Sequence, residues 1–90
     1  MYSIHKTKRY VADCEFFKKH DQLAFRKIQY LERIIEINPF FEHSKKERLK
    51  FKDVPTYSIR ITKTYRLVYT VHTDKICVAL LSCRGHYDDK

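Results

Sequence analysis

Ninety residues fit one compact domain and exclude a second. Hydrophobic residues at 43% and aromatics at 14% are enough for a packed core, which argues against disorder except at the ends. Nineteen Lys and Arg against eleven Asp and Glu give a net charge of +8, a surface that draws polyanions, nucleic acid first and acidic protein segments or membrane surfaces after it.

Residues 2–6 alternate in part and read as a short first strand. Thr7 is placed to cap a helix that carries Tyr10, Cys14 and Phe17 on one face. Asp21 opens a second helix, whose apolar stripe is Ala24, Ile28, Leu31 and Ile35. Asn38-Pro39 ends it, because proline cannot continue a helix and disfavours helical geometry in the residue before it. From Phe40 to Thr56 the periodicity lapses and cations gather as Lys45, Lys46, Arg48, Lys50 and Lys52, which reads as a basic loop. Three runs rich in β-branched and aromatic residues follow: Tyr57 to Ile61, Tyr65 to His72 and Lys75 to Cys83. The short turns Thr62-Lys63-Thr64 and Thr73-Asp74 make them an antiparallel meander. The order predicts an α+β domain spanning 1–90, with two N-terminal helices packed on one face of a small, mainly antiparallel, twisted sheet.

Strand parity then places the cations. Ser58 and Arg60 share a face opposite Tyr57, Ile59 and Ile61, and Arg66 and Val68 oppose Tyr65, Leu67, Tyr69 and Val71. The apolar sets belong against the helices, which leaves Arg60 and Arg66 together on the other face. Such a pair is either plainly solvated or a bidentate phosphate clamp. By the same parity Tyr57, Tyr65 and Tyr69 serve the core before they stack on bases.

Gly85 is the one glycine of the chain and is expected to turn it after the last strand, bringing His86 and Tyr87 back over the sheet. No stretch approaches the ~18 apolar residues of a membrane span, and Met1-Tyr2-Ser3-Ile4-His5 begins no signal sequence, so a cytoplasmic location is expected. Cys14, Cys77 and Cys83 are odd in number and far apart in sequence, which reads as reduced thiols. Cys83 and His86 offer half of a zinc site with no second pair, so neither metal nor cofactor is expected.

Asn38-Pro39-Phe40, Glu47-Arg48-Leu49-Lys50, Ser58-Ile59-Arg60-Ile61-Thr62, Arg66-Leu67-Val68-Tyr69 and Ser82-Cys83-Arg84-Gly85-His86-Tyr87 together resemble the RelE superfamily of bacterial toxins, in its YoeB/Txe branch. The resemblance runs from about Pro39 to Tyr87. It implies an endoribonuclease that enters the ribosomal A site, cuts messenger RNA without metal and is held inactive by a cognate antitoxin. By motif, Glu47 resembles the general base, Arg66 the transition-state arginine, His86 the general acid and Tyr87 an aromatic that positions substrate. Arg60 resembles a supporting phosphate contact. The chain departs from the family at Ile59-Arg60, where two adjacent basic residues are common, and at His43-Ser44-Lys45-Lys46, where glycine and proline stand near the glutamate.

The chemistry is coherent on elementary grounds. RNA carries its own nucleophile, the 2′-hydroxyl, so cleavage needs positioning, a base, an acid and cationic stabilisation of the phosphorane. Lys45, Lys46, Arg48, Lys50, Lys52 and Arg84 would hold RNA backbone, with the alternative that the lysines merely keep a loop soluble. Glu47 reads either as that base or as a solvated salt-bridge partner. An acidic antitoxin segment would be drawn to the same cations, and operator DNA would be met only through the toxin–antitoxin complex. A homodimer is compatible with the sequence. The competing readings are a non-catalytic basic RNA- or protein-binding module and a gyrase-directed toxin of the same fold.

Overall fold

The computed structural model describes residues 1–50 and 53–85. Thr7 lies in extended backbone, and its hydroxyl accepts the Tyr10 N–H at 3.0 Å, so α1 (Lys8–His20) starts on a capped turn. That hydroxyl also donates to the Leu81 carbonyl at 2.8 Å, which ties the helix start to the sheet. Asp21 serves two helices. Its N–H donates to the Phe17 carbonyl at the end of α1, and its carboxylate accepts the Ala24 N–H at 3.1 Å to open α2 (Gln22–Ile37). Asn38 stops α2 by donating its N–H to the Ile34 carbonyl at 2.9 Å.

Five strands form one mixed sheet in the order β1-β5-β4-β3-β2. They are β1 (Ser3–Lys6), β2 (Lys46–Arg48), β3 (Thr56–Arg60), β4 (Arg66–His72) and β5 (Cys77–Gly85). Only β1, against β5, pairs parallel; the other three pairings are antiparallel. The expected α+β layering is therefore present. The whole stripe Ala24, Ile28, Leu31 and Ile35 is buried against the sheet with Tyr10 and Phe17 of α1. Among the described residues no helix is long and apolar enough to cross a membrane.

Two local expectations need correction. Lys46 to Arg48 is a strand rather than loop, because its backbone pairs with β3 although its side chains carry no apolar alternation. The last strand does not end at Cys83 but runs to Gly85, its final residue, which is the Cα partner of Arg66. Cys14 and Cys83, far apart in sequence, meet with their sulfurs 3.9 Å apart where α1 packs on β5, and both are free thiols. The hydrogen bond from Cys83 holds the Cys14 pKa below the ordinary thiol value, while that bond and burial push Cys83 up.

Asp13 holds the end of β5. The β4–β5 register shifts between Arg66 and Val68 and again between Val68 and Tyr69, so β5 is irregular just where the functional residues are expected. Asp13 is a buried carboxylate on α1, and its Oδ2 accepts the backbone N–H of Cys83 at 3.0 Å and of Arg84 at 3.2 Å. Arg9, one turn earlier, sits 3.8 Å from the same oxygen. Replacing Asp13 with alanine strands two amides, so we expect a loss of about 2–4 kcal/mol in urea unfolding and a smaller loss for Asp13→Asn.

Candidate functional site

The ladder sorts the charged residues by face. Glu47 stands opposite Ser58 and Ser58 opposite Val68, while Arg60 stands opposite Arg66 and Arg66 opposite Gly85. Residues directly opposite share a face, as do residues two apart on a strand. Glu47, Ser58, Arg60 and Arg66 thus lie on the face turned away from the helices, as parity had placed the two arginines. Ser44, Lys45, Glu47, Arg60 and Arg66 line a depression of about 200 Å³. Lys45, Glu47 and Arg60 are exposed and Arg66 is half-buried. The row of Glu47 and that of the two arginines are separated by two residues of β3, or about 6.7 Å. Among the described residues none of these three side chains is in an ion pair.

That face is less bare than parity suggested. Ser58, Val68 and Ser82 are buried beneath the charged rim, and Val68 stands outside the helix-side core. The Ser58 hydroxyl, in the row of Glu47, is buried without a hydrogen-bond partner among the described residues. Ser44 and Ser58 were not singled out by chemistry in the sequence, although parity had already grouped Ser58 with Arg60.

The remaining cations do not share one surface. Lys46 points to the helix side, where its ammonium donates to the carbonyls of Phe41 at 2.8 Å and Pro39 at 3.1 Å. It lies 4.3 Å from the centroid of the Tyr57 ring and 4.6 Å from that of Phe41, and burial lowers its pKa. Lys46 is thus withdrawn from the expected RNA-binding set by its own strand parity. Arg48 and the partly exposed Lys46 border a separate hollow of about 240 Å³ with Phe41, Glu42 and Tyr57. Lys50 is exposed just beyond β2. Arg84 lays its guanidinium 3.5 Å from the Phe16 ring centroid, on α1 rather than in the depression. Tyr69 is fully buried in the core, and Tyr57 and Tyr65 pack against it. Lys52, His86 and Tyr87 lie outside the described residues. Among the described residues no three His, Cys, Asp or Glu side chains are grouped to hold a metal.

A family model described as the YoeB-like toxin of bacterial type II toxin–antitoxin systems matches residues 6–87. The chain belongs to this family. It is 35% identical over 75 residues to Toxin YoeB of Escherichia coli (strain K12), covering 83% of this chain and 87% of that one. Two solved structures from Staphylococcus aureus share its fold. One is a YoeB dimer, 32% identical with a TM-score of 0.78, covering 96% of this chain and 98% of that one. The other is a YoeB–YefM complex, 31% identical with a TM-score of 0.75, covering 97% and 99%. The protein is therefore a type II toxin of the YoeB/RelE kind, and the depression on its open sheet face is the natural candidate site of this YoeB-like fold.

Two arginines placed directly opposite repel each other unless an anion lies between them. Pyrophosphate at ten times its dissociation constant should therefore raise the melting temperature by about 5–10 °C for a domain of this size. Arg60→Gln or Arg66→Gln should remove most of that rise, measured by thermal denaturation at constant ionic strength.

Proposed function

We propose that this toxin is a ribosome-dependent messenger endoribonuclease that acts in the cytoplasm and uses no metal. The observation that carries the reading is the shared depression of Glu47, Arg60 and Arg66, beside the strand that leads through Gly85 to His86 and Tyr87. In this reading Glu47 accepts the proton of the 2′-hydroxyl as its oxygen bonds to phosphorus. His86 donates a proton to the 5′-oxygen as the P–O5′ bond breaks, leaving a 2′,3′-cyclic phosphate and a 5′-hydroxyl. Arg66, backed by Arg60, stabilises the charge that builds on the phosphoryl oxygens, and Tyr87 orients the nucleotide. A spacing of about 6.7 Å between the carboxylate row and the arginine row suits one ribose-phosphate unit lying across them.

A carboxylate is a weak base near neutral pH, so positioning must supply much of the rate, which suits a message presented by the ribosome. Lys45, Lys50 and Lys52 would hold RNA backbone without reading sequence, with Arg48 on the outer side of the same edge. The family and the solved YoeB–YefM complex support an antitoxin as the restraining partner. An acidic segment of such a partner would meet the cations of the cleft and block it, and operator DNA would be contacted through that complex. The solved YoeB dimer makes self-association a further expectation.

In a cell-free translation mixture, primer extension should show new 5′ ends inside translated codons. Arg66→Ala and His86→Gln should slow their appearance about 100-fold or more, the usual loss when one transition-state donor is removed. Messages left whole by the wild-type protein, or cut equally well without ribosomes, would overturn the reading.

A further inference from the structure

Lys46 is the least expected charge in the molecule, since it occupies the helix-side row with Ile59 and Leu67, both fully buried. A lysine there has to satisfy its ammonium inside the protein, and the structure supplies the means. The carbonyls of Pro39 and Phe41 accept two of its protons. Three aromatic rings surround it, with Tyr57 at 4.3 Å, Phe41 at 4.6 Å and Tyr69 at 5.8 Å from the ammonium nitrogen. Tyr69 donates its hydroxyl to the same Pro39 carbonyl at 2.7 Å, so that oxygen receives two donors from two different strands.

The strand bearing this lysine needs such a tie. β2 has three residues at the edge of the sheet, and so short an edge strand is marginal on its backbone bonds alone. Lys46 and Glu47 are consecutive, so their side chains leave opposite faces of the strand. Fixing one ammonium on the helix side therefore fixes the direction of the neighbouring carboxylate on the cleft side.

We infer that Lys46 is a positioning residue: its caged ammonium pins β2 to the loop Asn38–Phe41 and so aims Glu47 into the cleft with Arg60 and Arg66. This inference rests on Glu47 acting in the proposed cleavage, and its test separates the two. Lys46→Met keeps the apolar stem and removes the charge and donors, while Lys46→Arg keeps a charged donor that stacks on aromatic rings. In the translation assay Lys46→Met should lower kcat about 100-fold with little change in KM, the scale of a catalytic group displaced by about 1 Å. Lys46→Arg should recover part of it. Adding Glu47→Gln to Lys46→Met should cost little more, because the two act through one carboxylate.

Amide exchange provides a readout that needs no activity. In Lys46→Met the amides of Leu49 and Arg60, which bond to Thr56 and Lys45 at the two ends of the β2–β3 pair, should exchange about tenfold faster or more, with β4 and β5 unchanged. Should Lys46→Met fail to fold, Phe41→Leu, which opens the cage and leaves the lysine, carries the same measurements with smaller effects. Unchanged exchange at these amides, or losses from Lys46 and Glu47 that multiply independently, overturns the inference. If Glu47→Gln cuts as fast as wild type, the cleavage reading falls, and the exchange data still decide whether Lys46 anchors β2.

Discussion

Alternation along three short strands is the constraint on which this molecule depends. A strand sends successive side chains to opposite faces, so a run of charged residues in β2 is divided whether or not both faces suit a charge. Glu47 joins the wet face with Arg60 and Arg66, while Lys46 is driven toward the helices. The two fates differ in cost. The cleft cations stay within reach of water, whereas the Lys46 ammonium gives up much of its hydration and takes two carbonyls and three rings in return. The depressed pKa of Lys46 records the part of that loss its partners do not offset.

The end of β5 depends on a buried charge, the carboxylate of Asp13. β5 lies between β1 and β4 and is therefore held from both edges, yet its register with β4 slips twice near its end. Slippage there leaves amides facing α1 rather than a strand, and Asp13 accepts two of them. The helix thereby fixes the course of the chain at Cys83 and Arg84, just before Gly85 passes Arg66. A carboxylate on α1 and an ammonium on β2 thus do similar work from opposite ends of the sheet. Asp13 is buried and Lys46 half-buried, and each finds its main partners in the backbone rather than in an opposite charge, an arrangement that fixes chain direction more than it adds to stability.

What the sequence made legible follows from the range of the interactions. The α2 stripe was readable because helical period is local, and all four of its residues are buried. The common face of Arg60 and Arg66 was readable because parity is local too. β2 was not, since three polar residues carry no alternating pattern and their pairing with β3 spans a turn of no fixed length. Lys46 looked like one more lysine in a basic run because its rings come from Phe41, Tyr57 and Tyr69, which only the fold assembles. The Asp13 bonds to Cys83 and Arg84, and the Cys14–Cys83 contact, join residues about seventy positions apart, beyond the reach of any local pattern. The extension of β5 through Arg84 to Gly85 was not legible either, since a lone glycine gives no strand signal and its pairing opposite Arg66 comes from β4.

The unpaired state of the cleft is itself informative. A carboxylate and two arginines on one face would commonly close into a salt bridge, and doing so would neutralise the carboxylate and the cations alike. Here the two rows are kept about 6.7 Å apart by strand geometry. Glu47 is tied to its row by β2, and the arginines to theirs by β3 and β4. Among the described residues none of the three side chains is in an ion pair, so the charges remain available to a polar or anionic ligand. The same separation leaves the face open to a polyanion. What the face offers is a set of charges fixed in two rows by the sheet and, among the described residues, not paired with one another.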